Sequence, residues 1–142
     1  MRLRGLLEHA EMGAYVLGFR LLSFSRPIGS LVRLASELSD VLPASRSDRS
    51  VVETIRIAQG AARRTSKLVP GARCLHRALS SRLWLARRRI ASEIVVGFRK
   101  GEGLEGHAWL EVETPTGPLA IFEQEGYRES FREGAVLEQP AA

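Results

Sequence analysis

Two side chains in this sequence could carry out acyl transfer together, Cys74 and His107. Cys74 is the only cysteine; it follows Val69-Pro70-Gly71-Ala72-Arg73 and precedes an apolar-periodic run. That places it at the start of a predicted helix. The orphan N–H groups and positive pole of a helix N-terminus stabilise a thiolate, the nucleophile that acyl transfer needs. His107 opens a segment in which Ala108, Leu110 and Val112 alternate with His107, Trp109, Glu111 and Glu113. In a strand these sets face opposite ways. The imidazole therefore projects from the face that does not look like the main core, where it can serve as a general base.

A third group is needed to orient the imidazole through its other ring nitrogen. The only aspartates, Asp40 and Asp48, precede His107. The next acids along the chain after His107 are Glu111, Glu113, Glu123 and Glu125. The first two lie roughly 13 to 20 Å along the same strand. If a tight turn closes at Thr114–Gly117, the returning strand brings Glu123 beside His107, with Glu125 as the alternative. His76 follows Cys74 by two residues and points to another side of the helix. A Cys-x-His pair alone lacks the ligands of a metal site.

The elements that must position these groups fall into two blocks. Leu3, Leu6, Leu7, Ala10, Ala14, Leu17 and Leu21 have helical spacing over 3–22. Ser25 is a candidate cap for a second helix, with Pro27 in its first turn, and Pro43 stops that helix. Ser50 and Glu53 have the spacing of a capping box and open a third helix. A fourth runs from about Arg73 to Arg89, and its Arg87-Arg88-Arg89 end reads as solvated. After Ala91 the period changes from 3.6 to 2: a strand over 93–98, a glycine-rich loop over 99–106, a strand over 107–113 and a returning strand over 119–123. The expected fold is α+β, a helical N-terminal half packed on a small antiparallel sheet. We expect one domain over 1–142: a helical part at 1–67, a catalytic part at 68–131 and a frayed tail at 132–142.

Composition narrows the functional classes. Hydrophobic residues at 44% and charged residues at 26% are ordinary globular usage, against a disordered or fibrous chain. One cysteine excludes an internal disulfide framework, and the lone thiol without a signal peptide points to the cytoplasm. No apolar run reaches the ~20 residues that span a bilayer. The net charge of +5 sets 21 basic against 16 acidic residues, and among the basic ones only Lys67 and Lys100 are lysines. Such arginine bias fits either a GC-rich genome or nucleic-acid binding.

Four segments together resemble one family: Cys74-Leu75-His76-Arg77-Ala78-Leu79, Leu85-Ala86-Arg87-Arg88-Arg89, Ile94-Val95-Val96-Gly97-Phe98-Arg99 and Gly106-His107-Ala108-Trp109-Leu110-Glu111. They are similar to the lasso peptide biosynthesis B2 proteins, a branch of the transglutaminase-like cysteine protease superfamily. The resemblance spans about residues 68–131. It implies a papain/transglutaminase-like core, with Cys74 as nucleophile and His107 as general base. It implies a leader peptidase that cuts a ribosomally made (RiPP) precursor before a separate lasso cyclase closes the macrolactam. It also implies a B1 protein that binds the leader and delivers it. Thiol chemistry of this kind calls for no metal or organic cofactor. Family members place an Asp about a dozen residues past the His, where this chain has Leu119 and Ala120; Glu123 is the substitute. A transglutaminase acylating an amine would share the site. Two other readings compete, a B2-like scaffold without catalysis and a basic nucleic-acid-binding domain, and neither membrane nor nucleic acid is the expected partner.

Overall fold

The computed structural model describes residues 2–46, 48–101 and 103–138. Four helices come first: α1 (Leu3–Leu22), α2 (Ile28–Val41), α3 (Val51–Leu68) and α4 (Cys74–Arg87). Four strands follow, β1 (Ser92–Lys100), β2 (Leu104–Thr114), β3 (Gly117–Ile121) and β4 (Arg128–Arg132), and then a short α5 (Glu133–Glu138). The sheet is antiparallel in the order β3-β2-β1-β4. The fold is thus the expected α+β arrangement. It is not a simple meander, because β4 returns to the far edge beside β1.

The local signals explain most boundaries. Ser50 caps α3 by accepting from the Glu53 N–H at 3.2 Å. Ser25 does not cap α2. Its hydroxyl donates to the Leu22 carbonyl instead, since the chain continues past α1 in tight turns through Arg26, and Pro27 occupies the cap position. The segment between β1 and β2 is shorter than the expected loop, because both strands extend into it and pair as far as Lys100 with Leu104. The β2–β3 hairpin closes as predicted, Thr114 opposite Gly117.

α4 packs on β1 and β2 and is surrounded by α1, α2 and α3. The shared core includes Leu79, Leu83, Trp84, Ile94, Leu110 and Val112. In α1 the buried residues are Glu8, Met12, Val16 and Phe19, while the leucine stripe faces outward. Buried Glu8 is tolerated because Arg49 pairs with it.

Two expectations need correction. The Arg87-Arg88-Arg89 end is not a solvated patch: Arg87 and Arg88 both pair with Glu11, at 2.7 and 2.9 Å, and Arg88 stacks on the Trp84 ring. Residues 133–138 do not fray. Glu133 is buried, takes a bidentate bond from Arg82 and accepts from the Ile94 N–H, which anchors α5 to α4 and β1. Residues 139–142 of the expected tail lie outside the described residues.

Candidate active site

Cys74 is the first residue of α4, as its position after Pro70-Gly71 predicts. Its sulfur accepts a hydrogen bond from the Ala108 N–H at 3.4 Å. The thiol therefore rests on the peptide immediately after His107. The thiol is part-exposed, so a substrate can approach it.

The helix start is fixed by a residue that sequence reasoning set aside. His76 Nδ1 accepts from the Arg73 N–H at 2.9 Å, doing what Glu does in a capping box. Its Nε2 then carries the proton and donates to Ser23 Oγ at 3.1 Å, and Ser23 donates onward to the Arg20 carbonyl. The signal available in sequence was position: His76 is the third residue of a helix that Cys74 begins. Burial, followed by the charges of Arg20 and Arg73, holds His76 below the usual imidazole pKa. The unfolded chain takes up this proton more readily, so His76 stabilises the fold fully above about pH 6.5 and loses that contribution as pH falls toward its folded value. Thermal melts from about pH 7.5 to 5.5 should show this loss, and His76→Gln should flatten it. An unchanged pH slope in the variant would assign the loss to other groups.

His107 sits on β2, opposite Gly97 of β1. Its ring is stacked against Trp109, 6.2 Å between centroids, and tilted 5.0 Å from Tyr127. This face of the sheet is closed rather than open, leaving His107 only 4% exposed. The Trp109 ring passes so close to Gly97 that a Cβ there would lie 2.8 Å from it and 2.5 Å from the Arg128 carbonyl. Gly97 is therefore the residue that lets Trp109 and β4 close around the imidazole.

His107 Nε2 bonds the Phe122 carbonyl at 2.5 Å. A carbonyl can only accept, so Nε2 carries the proton and Nδ1 presents its lone pair. Phe122 has φ +64, the left-handed region that a non-glycine residue rarely adopts. β2–β3 pairing ends one residue earlier, at Leu110 with Ile121. The turn at Phe122 swings the chain out of the sheet and aims its carbonyl at the ring. Glu123 follows at once, exposed, and shares with His107 a cavity of about 250 Å³. Arg63, Lys67 and Arg77 form the cationic side of that cavity. The structure thus returns Glu123 to the neighbourhood of His107, but the ring's hydrogen bond goes to the residue before it. Glu125 makes no bond to the ring either; its carbonyl accepts from Arg99. The thiol and imidazole are brought to adjacent residues of β2 without a hydrogen bond between them. Catalytic bonds are often loose before substrate binds.

A larger opening of about 720 Å³ lies beside Arg4, Ser45, Asp48 and Arg88 and offers neither thiol nor imidazole. Among the described residues no three His, Cys, Asp or Glu side chains gather to hold a metal ion, and no helix is long and apolar enough to cross a membrane.

A family model described as the transglutaminase-like superfamily matches residues 16–133, which include Cys74, His107 and Glu123. Searches of curated proteins and of solved structures returned no match.

Proposed function

We propose, from the premise that this chain belongs to the transglutaminase-like superfamily, that it is a cysteine peptidase removing the leader from a ribosomally made lasso peptide precursor before macrolactam formation. The observation that carries this reading is the meeting of a helix-starting thiol with the Ala108 N–H, one residue from an imidazole whose Nε2 is already held by a carbonyl. With Nε2 so held, Nδ1 is the ring nitrogen that takes the thiol proton in this reading.

The reaction then runs as acyl transfer. The Cys74 thiolate attacks the scissile carbonyl at the leader–core junction as His107 takes the thiol proton. The backbone N–H of Cys74, at the start of α4, would help hold the oxyanion. The imidazolium gives its proton to the leaving core amine, and the leader stays as a thioester. Water, deprotonated by His107, hydrolyses the thioester and releases the leader with a free carboxylate. The freed core amine is what a lasso cyclase needs to close the ring.

Recruitment supplies the test. The chain is proposed to act with a B1 protein that binds the leader, so adding the cognate B1 should accelerate cleavage of precursor by about tenfold or more through effective concentration. Mass spectrometry of leader and core fragments reads the rate. Equal rates with and without B1 would mean that this chain reads the leader itself. Absence of cleavage in both would count against the peptidase.

One observation favours a second reading, a B2-like scaffold with weakened catalysis. The acceptor on His107 is a neutral carbonyl, which stabilises an imidazolium less than a carboxylate does. Alkylation of Cys74 by iodoacetamide separates the two: a thiol no more reactive than an ordinary cysteine would favour the scaffold. The nucleic-acid reading is weakened, since Arg87 and Arg88 are engaged by Glu11.

A further inference from the structure

We propose that the outward face of α1 is a self-complementary surface on which a second copy of this chain docks antiparallel. The face consists of Leu3, Leu7, Ala10, Ala14, Leu17 and Leu21, all exposed, with the leucines 48 to 71% accessible. Their spacing alternates four and three, the apolar seam of a heptad repeat. A helix whose opposite side, Met12, Val16 and Phe19, already lies in the core has no intrachain use for such a seam.

The order of the seam identifies its occupant. Reversed about Met12 it reads the same: Leu3 exchanges with Leu21, Leu7 with Leu17 and Ala10 with Ala14. An antiparallel copy related by a two-fold axis at Met12 therefore sets Leu3 against Leu21 of the second copy, Leu7 against its Leu17 and Ala10 against its Ala14. Large residues meet at both ends and small ones at the centre. Gly18 flanks the seam, and a Cβ there would meet nothing within 4 Å, so a second helix can approach. Glu11, the acid on the rim, is already neutralised by Arg87 and Arg88, so the two copies do not oppose bare charges at the axis.

The area suffices. Together with Leu6 and Phe24, 53 and 73% exposed, the stripe offers on the order of 600 Å² per copy, and pairing removes roughly 1,200 Å² from water, the lower bound of stable interfaces. A single exposed apolar stripe of that size stands at the upper end of what a monomer ordinarily leaves in water, where such patches are often functional.

Sedimentation equilibrium of the full chain should give a mass that rises with concentration toward twice 15.7 kDa. Leu7→Glu and Leu17→Lys should each raise the dimer dissociation constant at least about a hundredfold, since each change removes two buried leucines per dimer. Both positions are exposed in the single chain, so circular dichroism should show unchanged folding. The combined Leu7→Glu, Leu17→Lys variant removes four leucines per dimer, yet it should lose less affinity than the two single losses added together. The antiparallel register sets the introduced carboxylate of each copy against the introduced ammonium of the other, two opposite-charge pairs per dimer. A parallel register sets like charges together and would give no such relief. A monomer at every concentration, a dimer indifferent to Leu7→Glu, or a double variant whose loss equals or exceeds the sum of the singles would each overturn the proposal. So would a monomer that binds phospholipid vesicles through this face.

Discussion

Cys74→Ala should yield a folded protein that leaves the precursor intact, with leader removal at least about a thousandfold slower than wild type. The expected size follows from the role. Without sulfur there is no atom to form the acyl intermediate, and residual oxyanion stabilisation acts only on water. The fold should hold because the thiol contributes one weak acceptor, to the Ala108 N–H, and its loss costs about 1 kcal/mol. His107→Ala should be as inactive, but its ring fills a closed site between Trp109 and Tyr127, so a cavity accompanies the lost base. His107→Gln, closer in volume, separates the two effects: it should fold and still fail to cleave. Mass spectrometry of the precursor after incubation with B1 reads each variant. Full cleavage by Cys74→Ala would remove the nucleophile assignment and the peptidase reading with it.

The parts of this arrangement that were legible in sequence are those specified by neighbours in the chain. Ser50 and Glu53 lie three residues apart and cap their own helix. Pro70-Gly71 stops α3 and lets Cys74 begin α4. The Thr114–Gly117 turn fixes the β2–β3 register, which is why a returning segment near residue 123 was predictable. What was not legible depends on distant partners. Helical period identifies the apolar stripe of α1 but not which face the rest of the chain will cover; the hydrogen bond that supports buried Glu8 comes from Arg49, 41 residues away. α5 forms because Glu133 reaches Arg82 and the Ile94 N–H, neither of which is near in sequence. The closed His107 face needs Gly97, Trp109 and Tyr127 together, from two strands and a loop. The role of Phe122 was hidden for another reason. Backbone carbonyls carry no sequence signature, and a search for an acidic side chain looks past them.

That carbonyl frames the test of the third group. We propose Phe122 and Glu123 as positioning residues that act on His107 in different ways. The carbonyl fixes the ring by direct hydrogen bond at 2.5 Å, and the Glu123 carboxylate, on the wall of the same cavity, stabilises the imidazolium through space. Loss of a directly bonded triad carboxylate costs about 10⁴ in kcat; an exposed carboxylate acting at a distance is worth far less. Glu123→Gln should therefore lower kcat by about two- to fivefold and leave Cys74 alkylation by a neutral reagent nearly unchanged. Phe122→Val should cost more. A β-branched side chain resists a φ of +64 by roughly 1–2 kcal/mol, and relaxing that strain turns the carbonyl away from Nε2. Phe122→Gly accepts this φ without penalty and should retain the hydrogen bond, so its kcat should exceed that of Phe122→Val. The split between KM and kcat gives a readout that simple destabilisation does not move: losing either acceptor should lower kcat while leaving KM for the precursor nearly unchanged. If Phe122→Val and Phe122→Gly cleave equally, the carbonyl is not what holds the ring. Near-wild-type rates in Glu123→Gln, Glu125→Gln and the double variant would leave a Cys74–His107 pair held by backbone alone.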